Sequence, residues 1–87
     1  MKAVITVIGK DMVGILAKVS TTCAEANANV SEVTQSIMDE YFAMIMLVEI
    51  DNMNCTLDEL KNNIEKTVPT MTVHVMHEDI FNSMHRI

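Results

Sequence analysis

Eighty-seven residues leave room for one domain and one core, and a chain this short buries a smaller share of its surface than a larger one. Twelve acids against six bases give a net charge of −6, a field that repels phosphate backbones and argues against nucleic acid as a partner. No apolar run approaches the ~20 residues that span a bilayer, and the segment from Ala3 to Ile8 is too short and is interrupted by Thr6, unlike a secretory leader, so a cytoplasmic location is expected.

Aromatics make up only 3% of the chain, so the core must be built from aliphatic residues and an unusual nine methionines, which pack adaptably. The β-branched run from Lys2 to Gly9 predicts a first strand. Apolar residues at Met12, Ile15, Leu16, Val19, Cys23 and Ala26 then recur at helical spacing, predicting a helix of about four turns that ends near Asn27 and Asn29. Val30 to Met38 is β-rich but carries Glu32, Thr34 and Gln35, as expected of a strand at or near a sheet edge. Asp39 and Glu40 make a turn. In the next strand, Tyr41 to Ile50, both alternating sets are mostly apolar, which predicts a central position covered on both faces.

Thr56 and Glu59 have capping-box spacing and open a second helix marked by Leu57, Leu60, Ile64 and Val68, with Pro69 as its stop. A last strand is predicted over Thr70 to His77, followed by a short helix carrying Ile80, Phe81, Met84 and Ile87. The order βαββαβ with right-handed crossovers predicts an α+β ferredoxin-like sandwich, a four-stranded antiparallel sheet with two helices on one face. The other face, with Val4, Ile8 and Met76, then needs cover from the terminal helix or a second subunit, and a homodimer is the expected answer.

Little in the chain resembles catalytic machinery. Neither GxGxxG nor a Walker sequence occurs with only two glycines, and no nucleophile elbow surrounds Ser20 or Ser36. Cys23 falls on the apolar stripe of the first helix, where a thiol is inert; Cys55 precedes a helix N-terminus, a place that can lower a thiol pKa, but without a neighbouring base it reads as structural. The two cysteines are far apart and indicate neither a disulfide framework nor a thiolate metal site. His74, His77 and His85 with Glu78 and Asp79 resemble a metal set in composition, yet match no strong ligand spacing and read as surface groups flanking the last strand. No metal, cofactor or enzymatic activity is expected. The other chemistries of this fold lack their residues as well: there is no CxxC in the first loop, no basic aromatic sheet face for RNA, and no arginine near the first loop, Arg86 being the sole one.

The informative stretch is IGKDMVGILAKVS, Ile8 to Ser20, which contains both glycines. A glycine at a helix opening lets a carboxylate approach unpaired amides at the positive end of the helix dipole. Gly14 equally suits close packing of the helix on the sheet, and the residues alone leave both readings open. This segment, with the element order and the length, resembles an ACT domain, specifically the small stand-alone prokaryotic ACT proteins of the UPF0237 kind. The match runs from Gly9 through Lys10, Asp11, Met12, Val13, Gly14 and Ile15 to Ala17, Val19 and Ser20, with Val13 where many members have proline.

The resemblance implies a non-catalytic regulatory domain that dimerises and binds a small molecule, often an amino acid, between one protomer's first loop and helix and its partner's second strand. By position, Asp11, Met12, Val13, Gly14 and Ile15 correspond to the loop, and Asn29, Val30, Ser31 and Gln35 to the second strand. Amides near Val13 to Ile15 would hold a carboxylate, and Asp11 or Asn29 an amino group. A dimeric protein-interaction module without a metabolite is the alternative expectation.

Overall fold

The computed structural model describes residues 1–10 and 13–84. Period-2 alternation makes β1, Lys2–Gly9, a two-sided strand: Ala3, Ile5 and Val7 are fully buried under the helices, while Lys2, Val4, Thr6 and Ile8 point to the opposite face. β1 pairs antiparallel with β3, Tyr41–Glu49, on one side and with β4, Thr72–His77, on the other. β2, Asn29–Met38, pairs antiparallel with β3, which gives the strand order β2-β3-β1-β4 of a ferredoxin-like sheet.

Helix α1 runs over Ile15–Glu25, shorter than its apolar spacing predicts. Gly14, at φ 70, bars the helix from starting earlier, and Asn27, at φ 60, turns the chain out after it; Met12 lies outside the described residues. Ile15, Val19 and Cys23 are buried as expected, whereas Leu16 is 38% exposed. The Thr22 hydroxyl donates to the Lys18 carbonyl at 3.0 Å and lies 3.1 Å from the Thr67 hydroxyl, which satisfies this buried polar group and links α1 to α2, Leu57–Thr67. The capping box forms as its spacing predicts: Glu59 N–H donates to the Thr56 hydroxyl at 3.1 Å, and Thr56 N–H to the Glu59 carboxylate at 3.0 Å.

β4 begins two residues later than expected, because Val68 to Met71 closes a turn through the Met71 amide and the Val68 carbonyl. Met71 is buried beside Gly9, where a Cβ would stand 2.5 Å from its sulfur; the absent side chain at Gly9 is what admits the thioether.

The prediction that β3 is covered on both faces needs correction. Phe42, Met44, Met46 and Val48 face the helices and are buried, but Ala43 and Leu47 are only half-buried and Ile45 is 43% exposed. Cover for the second face comes from α3, Glu78–Met84, which packs over β1 and β4 and buries Val4, leaving the β3 and β2 side open. A seven-residue helix is too short to roof a four-stranded sheet. Among the described residues, no helix is long and apolar enough to cross a membrane.

Candidate functional site

The β1–α1 connection begins at Lys10, whose ammonium lies 3.3 Å from the Glu40 carboxylate and 5.6 Å from the centre of the Tyr41 ring. The loop is thereby tied to the tip of the β2–β3 hairpin, where Asp39 takes φ 57. Asp11 and Met12 lie outside the described residues. Val13 is 81% exposed. Gly14 is the N-cap of α1 and has no side chain to cap it, so among the described residues no N-cap side chain bonds the amides of the first turn.

Among the described residues, a Cβ on Gly14 would find only the Lys18 Cε, at 3.9 Å, so glycine is required here by its left-handed backbone. The close-packing reading of Gly14 is therefore wrong, and the backbone at the helix opening is exposed. Ile15 is a core side chain, 1% exposed, and can contribute to a surface site only through its backbone.

The strand half of the candidate set is elsewhere. β1 and β2 are both antiparallel to β3, so they run the same way, and the start of β2 lies at the end of the sheet away from the loop. The eleven residues of α1 separate Gly14 from that end by roughly 16 Å along the helix axis. Asn29 is exposed, and Val30 packs half-buried against the core. Ser31 stands at a β-bulge between Val30 and Glu32, with its hydroxyl 3.5 Å from the Glu49 carboxylate. Gln35 is exposed halfway along the strand, opposite Met44. One protomer thus brings Val13, Gly14 and Ile15 together, and Asn29, Val30 and Ser31 together, but keeps the groups apart.

Asn29 and Val30 also line a cleft of about 390 Å³ with Ser20, Ala24, Asn27 and Ala28, between the second half of α1 and the start of β2. Ser20 and Ala24 are small residues one turn apart on α1, a spacing that keeps the helix thin beside the edge strand; that was the available signal for this cleft. β2 itself is exposed from Ser31 to Met38, and Val33, Ile37 and Met38 are 36%, 62% and 74% exposed.

The remaining reactive side chains stand away from this site. Burial pushes the Cys23 thiol up to about 11. The Cys55 thiol is also raised, by burial and then by the Glu59 carboxylate, so its place before a helix does not activate it. His74 and His77 are three apart on β4 and face opposite sides of the sheet; His85 lies outside the described residues. Among the described residues, no three His, Cys, Asp or Glu side chains are grouped to hold a metal.

This architecture has known counterparts. The family model for the ACT domain matches residues 2–78. The chain is 48% identical over its whole length to a UPF0237 protein of Clostridium perfringens, covering all of that protein too. Among solved structures, an ACT domain protein from Streptococcus pneumoniae superimposes with a TM-score of 0.78 at 34% identity, over 98% of both chains. The regulatory subunit of aspartate kinase from Thermus thermophilus shares the fold at 24% identity and a TM-score of 0.65, over 85% of this chain and 49% of that one. With the first-strand loop, the exposed second strand and the full-length match in agreement, this chain belongs to the ACT domain family.

Proposed function

We propose that the chain acts as one non-catalytic regulatory domain, a homodimer that binds an amino acid where one protomer's β1–α1 loop meets its partner's β2. The observation that carries this reading is the separation of the two halves of the candidate site within one protomer. Two-fold pairing of β2 with a second β2 is antiparallel, so it carries the partner's Asn29 end toward the Met38 end, and hence toward the loop that holds Gly14.

Pairing satisfies an edge of ten residues that otherwise offers free amides and carbonyls, and it covers Val33 and Ile37. The first turn of α1, which opens on a glycine, receives the carboxylate through its amides, and Asn29 from across the interface, or Asp11, receives the amino group. A ligand held by both protomers favours one dimer arrangement, which is how binding becomes regulation. The regulatory aspartate kinase subunit that shares this fold is consistent with such a role.

The test is a thermal-shift titration against the twenty amino acids, with light scattering to give the mass, on wild type and on Val33→Asp, which puts a charge on the paired edge. A dimer stabilised by one or a few amino acids, with both properties lost in the variant, is expected. A dimer that answers to none of them at millimolar concentration would replace this reading with a protein-interaction module.

A further inference from the structure

On the sheet face away from α1 and α2, α3 stops short of β2 and leaves a cleft of about 240 Å³. Its floor is apolar: Leu47 pairs with Val4 across β3 and β1, Ile45 follows on β3, and Phe81 closes the α3 side. The polar groups are at the margins. Glu32, which pairs with Leu47 and ends this cross-strand row on β2, faces the cleft from one side, and Glu78, with Asn82, from α3 on the other. Glu32 and Val4 are two strands apart, which is roughly 10 Å of sheet.

Neither carboxylate makes a hydrogen bond or ion pair with another described residue. The basic residues that the strands present to this face, Lys2 and His74, do not line the cleft. Two carboxylates with hydrocarbon between them repel each other and any anion. Among the described residues no three His, Cys, Asp or Glu side chains are grouped here to hold a metal ion, and the volume admits a slender chain but no folded segment.

We propose that this cleft binds a linear aliphatic diamine, with its methylenes on Val4, Ile45, Leu47 and Phe81 and its two ammonium groups at Glu32 and Glu78. The chain loses apolar surface to the floor, and each cation gains a carboxylate partner, so both ends and the middle contribute to recognition. The site is on the opposite face from α1, and its test is independent of amino-acid binding.

The experiment is an NMR titration of the full chain with cadaverine, with n-pentylamine and pentanol as the one-charge and no-charge controls. Saturable shifts at Val4, Ile45, Leu47 and Phe81 are expected, with pentylamine weaker and pentanol silent. Glu32→Gln and Glu78→Gln should each weaken cadaverine by roughly fivefold, the range of an exposed charge pair. Glu32 is exposed and Glu78 half-buried, and unchanged spectral dispersion will show that the variants fold. Shifts that never saturate, that map elsewhere, or that persist unweakened in the double variant overturn the proposal, as does pentanol binding as tightly as cadaverine.

Discussion

Gly14→Ala separates backbone conformation from packing at the β1–α1 loop. The position has φ 70, and among the described residues a Cβ there meets nothing closer than Lys18 Cε at 3.9 Å, so the cost is conformational. Holding an L-residue in the left-handed region costs about 1–2 kcal/mol. Against this, alanine restricts the unfolded chain and returns about 0.4–1 kcal/mol. The net destabilisation is therefore about 1 kcal/mol, which in a chain of this size lowers Tm by roughly 4–8 °C.

The assay is a thermal melt followed by circular dichroism, with Gly14→Asn and Gly14→Leu beside alanine. Asparagine, which tolerates the left-handed region, should lose less. Leucine should cost about as much as alanine, since its side chain enters open space. A leucine variant far less stable than the alanine variant would mean that the space is filled, and an alanine variant as stable as wild type would mean that the left-handed backbone is not required.

Other consequences are open to measurement. Gly9→Ala should destabilise by about 1–3 kcal/mol by overpacking, because its Cβ meets the Met71 sulfur. Urea melts of a double-mutant cycle should show most of this penalty gone when Met71→Ala is already present, whereas additive effects would contradict the contact. Thr56→Ala removes one arm of the capping box and should lower stability by about 1 kcal/mol, read as a lower urea midpoint at unchanged slope.

The hydrogen bonds from Thr56 to the Glu59 carboxylate lower its pKa below the ordinary 4.5. The folded state thus binds this proton less readily than the unfolded state, so the contribution is complete above 4.5 and is lost as pH falls through the lowered value. Melts of wild type and Glu59→Gln should converge in that acid range, and a gap between them that stayed constant with pH would refute the assignment. With a thiol reagent at pH 8, Cys55 should react ahead of Cys23, whose thiol is buried and pushed up to about 11; labelling of Cys23 in the native state at the rate of Cys55 would contradict its burial.

Local rules carried most of the fold because each element announces itself within a few residues. The alternation in Lys2 to Gly9, the Thr56 and Glu59 capping box, and the turn at Asp39 and Glu40 each depend on neighbours in the chain, and each appears where those neighbours place it. The ACT loop was legible for the same reason, as a contiguous motif from Gly9 to Ile15.

Distance in sequence hid the rest. Hydropathy marked β3 as apolar on both sides but could not say that α3 would reach only β1 and β4, since that depends on where a seven-residue helix lands. The need for glycine at position 14 was visible, but its cause, a positive φ rather than a tight contact, depends on how the chain leaves β1 and enters α1. The sequence by itself determined the elements, their order and the family. Only the tertiary structure decided that Gly14 and Asn29 stand at opposite ends of one protomer and that Glu32 and Glu78 face each other across an apolar cleft, because strand direction and helix placement set those separations and spacing along the chain does not.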